Sequence, residues 1–203
     1  WGELARRWGA ELPADMVITS TQNSGRSESW ALFAQGQYEV TPKLSLTVCG
    51  RYTHEKVTVA QKNTSSGNVN GVVDDSASFN NFSPRFTLAY KLGDRTNVYA
   101  TASRGFKAGG VQINPRIADT SYAPETLWNY EVGFKMQSAD RRLLLNTSVF
   151  YMDWKNLQTE FAVAQVNGNV ITFFSGIENA ASAHSVGVEA DASYLITPGL
   201  QVG

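Results

Sequence analysis

Residues 97–137 read NVYATASRGFKAGGVQINPRIADTSYAPETLWNYEVGFKMQ. Two arms alternate around a long polar centre. On the first, Val98, Ala100 and Ala102 alternate with Tyr99, Thr101 and Ser103. On the second, Trp128, Tyr130, Val132, Phe134 and Met136 alternate with Asn129, Glu131, Gly133, Lys135 and Gln137. A period of two puts each set on one face of a strand, so one face is apolar and aromatic and the other polar and charged. The centre, roughly two dozen residues from Arg104 to Leu127, is too long for a tight hairpin and has the length of a functional or disordered loop.

The same alternation extends outward from this stretch. Trp30, Leu32, Ala34, Gly36, Tyr38 and Val40 predict one face of a strand that Thr41-Pro42-Lys43 turns, and Leu44, Leu46, Val48, Gly50 and Tyr52 predict the next. The polar run 61–78 reads as a long loop. Phe82, Pro84, Phe86, Leu88 and Tyr90 mark a third strand, with a tight turn at Leu92-Gly93-Asp94. Beyond the opening stretch, a strand starts at Leu143 with no strong break before Asn167-Gly168, a hairpin signal. The return arm runs from Val170 to Ile196, and Thr197-Pro198-Gly199 turns again. Residues 1–28, with Pro13 and a polar run from Thr19, read as a loop or irregular lead-in to a body spanning 29–203.

Short turns therefore fall at one end and long loops at the other, the layout of an outer-membrane barrel. Tyr38, Tyr90, Tyr194 and Met136 sit on the apolar face just before short turns, and Trp30, Tyr52 and Trp128 sit near the opposite ends, where interfacial girdles belong. The arms flanking Asn167 are longer than an apolar band of about 25 Å requires, so their upper halves are expected to stand in water. A soluble β-sandwich also alternates, but it explains less well the charges of both signs on the polar faces. The fold class expected is all-β: an antiparallel up-and-down meander of about eight strands, forming an open sector of a large transmembrane barrel.

Bulk properties bound the function. With 203 residues, 42% hydrophobic, 17% charged and a net charge of -1, the chain is neither disordered by composition nor suited to nucleic acid. The single Cys49 cannot form an internal disulfide. No run of about eighteen apolar residues marks a membrane helix, which leaves a β-barrel open. The first residue is Trp1, and the chain reads as an internal piece of a longer one.

Several segments together resemble the barrel of a TonB-dependent outer-membrane receptor. They are Ser29 to Gln35 with Leu46 to Glu55, Phe82-Ser83-Pro84-Arg85, Tyr99 to Gly110, Tyr122-Ala123-Pro124-Glu125, Tyr130 to Lys135, Val149 to Trp154 with Leu157-Gln158, and Ser185 to Glu189. Val48-Cys49-Gly50-Arg51 departs from the usual pattern in the position of its glycine. The resemblance implies a barrel of about 22 strands, with the amino-terminal plug, the TonB box and the closing strand outside this chain. It also implies active import of a scarce solute, by default a ferric siderophore. The partners would be outer-membrane lipid, the TonB-ExbB-ExbD system acting through the plug, and the solute, with no nucleic acid and no cofactor. The location would be the outer membrane of a Gram-negative bacterium. A passive porin or structural barrel is the alternative, followed by a soluble all-β binding protein.

Within that frame, Arg104, Lys107, Gln112, Arg116 and Tyr122 are candidate ligand contacts in the extracellular loop. Arg51, Glu55, Arg85, Glu131, Lys135, Glu189 and Asp191 are candidates for the lumenal, plug-facing wall, free in a wet lumen or paired with one another or the plug. Gly105, Gly109 and Gly110 suit close backbone approach or a bend rather than phosphate binding. His54 and His184 lie far apart and suggest no metal site. A Ser-His hydrolase pair at the bilayer edge lacks a convincing serine beside His54, so no catalytic residue is expected.

Overall fold

The computed structural model describes residues 19–65, 68–113, 120–167, 170–180 and 182–203. The strands are β1 Thr19–Thr41, β2 Leu44–Ser65, β3 Asn68–Gly93, β4 Thr96–Lys107, β5 Gly110–Val111, β6 Ser121–Tyr122, β7 Glu125–Gln137, β8 Leu143–Lys155, β9 Gln158–Asn167, β10 Val170–Asn179, β11 Ala183–Thr197 and β12 Leu200–Val202. An eight-stranded sheet takes the order β1-β2-β3-β4-β7-β8-β11-β12, while β5 pairs β6 and β9 pairs β10 in separate two-stranded sheets. Each strand pairs antiparallel with its neighbours, as a meander requires.

Register aligns the alternating faces. Tyr38, Leu46, Leu88, Ala100, Val132, Val149 and Val188 stand opposite one another in one row across the sheet. The next row toward the short turns holds Glu39, Ser45, Ala89, Tyr99, Gly133, Ser148 and Glu189. Apolar residues thus face apolar residues on one side, and polar residues share the other. The apolar side has no cover: Leu32 is 73% exposed, Val132 62% and Val188 71%. Such a surface calls for an apolar neighbour, which for a transmembrane barrel is lipid.

The girdles give this sheet an orientation. On strand after strand, the apolar face is bracketed at an interval of eight residues: Trp30 and Tyr38, Leu44 and Tyr52, Phe82 and Tyr90, Trp128 and Met136, Leu143 and Tyr151, Val186 and Tyr194. That interval is about 27 Å of strand. Measured against the rows, the brackets slide by about one residue per strand from β1 to β11. At about 3.4 Å per residue and about 4.8 Å between strands, this slide tilts the strands by about 35°, at the edge of the range for outer-membrane barrels.

The structure corrects several boundaries. The polar run after Thr19 is strand, because β1 pairs with β2 from Thr19 opposite Ser65, so 19–28 is not an irregular lead-in. Likewise 61–65 and 68–78 are strand and not loop: β2 and β3 continue as a ladder up to Ser65 and Asn68. Both segments stand in water on two sides, so ladder formation asks for no apolar alternation there. The arms around Asn167 are broken instead of continuous. Asn156 takes φ 55, a left-handed conformation that asparagine tolerates, and the chain beyond it forms the separate β9–β10 hairpin, with Val170 opposite Asn167.

Candidate functional site

The lumenal wall is organised around one ring. Tyr99 stands opposite Gly133, with Glu131 and Lys135 two residues away on the same face of β7. The Tyr99 hydroxyl donates to Glu131, and the Lys135 ammonium lies 5.3 Å from the ring centroid. A Cβ on Gly133 would come within 2.3 Å of Tyr99 Cζ. The Glu-x-Gly-x-Lys spacing therefore seats an aromatic ring: a gap under it, an acceptor at its hydroxyl and a cation against its face. Phe150 covers Gly187 the same way, 2.5 Å from a Cβ placed there. A shallow recess beside Tyr99 is lined by Glu131, Lys135, Asn146, Glu189 and Asp191, and Asp191 accepts from Asn146 Nδ2 at 3.4 Å.

Toward the long-loop end, β3 and β4 part. Their pairing ends at Arg85 opposite Ser103, although β4 stays paired with β7 to Lys107. Pro84, which has no N–H to give a ladder, stands at the split. Arg104 patches it. Its guanidinium donates to Asn81 Oδ1 at 2.9 Å and to the Phe82 carbonyl at 2.7 Å. Thr53, Asn81 and Val111 are the buried side chains at this mouth. Gly109 and Gly110 let the loop fold onto it, since a Cβ on Gly109 would lie 2.2 Å from the Tyr122 carbonyl oxygen and one on Gly110 would strike the Tyr122 ring. Gly105 has open space around it, so close approach explains the later two glycines and not the first.

The candidate residues sort accordingly. Arg104 and Gln112 are engaged within the protein, Gln112 with the backbone of Ile177, and Tyr122 packs over Gly110. Lys107 is exposed at the rim, while Arg116 lies outside the described residues. Arg51 Nε donates to Thr53 Oγ1 at 3.2 Å, and Glu55 accepts from Ser27 Oγ at 2.9 Å. Arg85 is exposed on the lumenal face. Among the described residues the ion pairs are Arg26–Glu28 and Lys155–Asp153, so the lumenal charges do not pair with one another. His54 lies on the lipid side, stacked on Trp30 at 5.6 Å, with Nδ1 2.8 Å from Asn80 Oδ1. Sequence reasoning passed over Gln158 and Asn179 as site residues, because nothing local in the sequence pairs them with the loop they hold.

A barrel sector with a lumenal Glu-x-Gly-x-Lys seat and a loop folded over its mouth has relatives. The family model described as TonB dependent receptor-like, beta-barrel, matches residues 4–202. The chain belongs to this family. The pesticin receptor of Yersinia pestis is 23% identical over 193 residues, covering 93% of this chain and 27% of that protein. Among solved structures, the ferric yersiniabactin uptake receptor FyuA from Yersinia pestis superposes with a TM-score of 0.71 at 21% identity, over 93% of this chain and 27% of that one. The ferric-catecholate import receptor Fiu from E. coli K12, in its closed form, gives 0.62 at 19% identity over 87% and 26%. The chain thus spans about a quarter of these TonB-dependent receptors, as a sector of the wall of an outer-membrane barrel in a Gram-negative bacterium.

Proposed function

We propose that this sector forms part of the wall and mouth of a receptor that imports a ferric siderophore across the outer membrane. Energy comes from the TonB-ExbB-ExbD system, through a plug domain encoded outside these residues. The observation that carries this reading is that the described stems of the β4–β7 loop, 108–113 and 120–124, fold onto the lumenal mouth and are fixed there. An ordered mouth suits a receptor, which must hold a binding surface. Lys107 and Arg85 face this space with no hydrogen-bond or ion-pair partner among the described residues, so they suit an anionic chelate. The relatives favour iron as the cargo, because FyuA takes up ferric yersiniabactin and Fiu ferric catecholates. Glu131, Glu189 and Asp191 lie on the wall nearer the short turns without an ion-pair partner among the described residues, and a polar plug domain would supply the opposite charges.

The test is uptake of ⁵⁵Fe by a strain stripped of its own siderophore receptors and carrying the full-length gene. The cells are offered ferric complexes of catecholate, hydroxamate and phenolate chelators, with and without TonB. Saturable uptake of one class, lost without TonB, is expected. Uptake that persists without TonB would establish a passive pore instead. No uptake of any complex, with the receptor present in the outer membrane, would remove the siderophore.

A further inference from the structure

The β4–β7 loop and the β9–β10 hairpin are not joined by a strand ladder. Side-chain amides join them. Gln112 Oε1 accepts the Ile177 N–H at 2.8 Å while its Nε2 donates to the Ile177 carbonyl at 2.9 Å. In the reverse direction, Asn179 Oδ1 accepts the Ala123 N–H at 2.7 Å and its Nδ2 donates to the Ala123 carbonyl at 2.9 Å. Each amide thereby offers one residue the donor and acceptor that a neighbouring β-strand would offer. Gln158 adds a third tie, with Nε2 donating to the carbonyls of Ala108 at 2.8 Å and Ala123 at 3.1 Å. Its own N–H is held by Glu125 Oε2 at 3.0 Å. Asn179 Nδ2 also reaches the Asn156 carbonyl at 2.9 Å, tying the clamp to the left-handed residue that ends β8.

We infer that Gln112, Gln158 and Asn179 are positioning residues: they hold both stems of the β4–β7 loop against the β9–β10 hairpin, so that the solute meets a preformed mouth. They act through the loop backbone and do not themselves contact the solute. This rests on the proposed reading of the mouth as a solute site. The chemistry suits the role. Neutral amides do not titrate near neutrality, and their bonds are not screened as exposed ion pairs are, so the mouth keeps its shape as pH and salt vary outside the cell. One such bond is weak in water, but each bidentate amide fixes two at once. The stems of the loop are then ordered on folding instead of on binding, which spares the bound state that cost.

The test uses the full-length receptor in outer-membrane vesicles, as wild type, as Gln112→Ala/Asn179→Ala, and as Asn179→Asp, which keeps the acceptor for Ala123 and loses the donor. Hydrogen exchange at Ala123 and Ile177 reads the clamp. Equilibrium binding of whichever ⁵⁵Fe chelate the wild type takes reads its consequence. In the double variant, exchange at both amides is expected to rise about tenfold or more, with about tenfold weaker affinity, unchanged binding capacity and unchanged heat-modifiable migration. Asn179→Asp is expected to leave Ala123 the better protected of the two variants, so it serves if the double variant assembles poorly. Unchanged exchange would overturn the clamp. Faster exchange with unchanged affinity would overturn the positioning role. A wild type that binds no ferric chelate would refute the siderophore reading and with it the positioning role, leaving exchange to judge the clamp alone.

Discussion

Replacing Gly133 by alanine tests whether the Glu-x-Gly-x-Lys spacing is a seat for Tyr99. The new Cβ would lie 2.3 Å from Tyr99 Cζ and 2.4 Å from both Cε1 and the hydroxyl oxygen, well inside contact distance, so the ring must leave. Overpacking of this kind costs about 1–3 kcal/mol. Displacing the ring also breaks the hydroxyl's bond to Glu131, worth about 1.5–3 kcal/mol as a bond to a charged group, and the Lys135 contact, about 0.5–1 kcal/mol at an exposed site. These effects overlap, because one movement removes all three, so about 2–4 kcal/mol is expected for the whole. The full-length receptor should therefore lose its folded, fast-migrating band at a lower temperature, and the loss should depend on the ring. In a Tyr99→Ala background, Gly133→Ala should be nearly silent, giving a coupling above about 1 kcal/mol in a double-mutant cycle. Equal cost in both backgrounds would show that Gly133 is needed for some other reason, and the seat would have to be abandoned.

Further outcomes follow from the same geometry. Val132→Arg, at the centre of the bracketed apolar face of β7, should cost about 2–4 kcal/mol and reduce assembly into outer membranes, whereas Thr101→Arg, one row away on the lumenal side, should assemble normally; fractionation and heat-modifiability distinguish them. Arg104→Ala strips Asn81 Oδ1 and the Phe82 carbonyl of their donor and should cost about 1–3 kcal/mol, seen as faster proteolysis of the mouth on intact cells at unchanged barrel abundance. At the short turn between β7 and β8, the Ser138 hydroxyl, with help from the Arg142 N–H and charge, holds the Asp140 carboxyl below its ordinary pKa. That contribution is present above the ordinary carboxylate range and is lost as acid protonates Asp140 at the depressed value, so the protection factor of the Arg142 amide, its observed exchange divided into the intrinsic rate at each pH, should fall in acid. Asp140→Asn should remove most of that pH dependence, and an unaltered profile would dismiss the carboxylate as its source.

What could be read from the sequence, and what could not, follows from which interactions are local in register. Alternation is imposed by two solvents meeting at one sheet, and it is visible wherever one face touches lipid. Hence the rows through Leu88, Ala100 and Val132 were legible, as were the girdle residues Tyr38, Tyr90 and Tyr194. Where both faces are wet, as from Thr19 to Ser29 and through 61–65 and 68–78, no such contrast exists. The backbone ladder alone then sets the structure, and polar composition reads falsely as loop. The break at Asn156 was hidden for a related reason: a left-handed asparagine looks like any polar strand residue until the neighbouring hairpin fixes it. At the site, Gly109 and Gly110 were legible because a glycine pair in a loop already implies close approach. The fate of Arg104 was not legible, because the split above Pro84 that draws its guanidinium to Phe82 exists only once β3 and β4 are side by side. The same holds for the bonds of Gln112, a candidate ligand contact by sequence, to a residue 65 positions away. In a barrel mouth, polar side chains are needed both to meet the solute and to hold the loops that meet it. Composition does not separate these uses, and only the register between hairpins does.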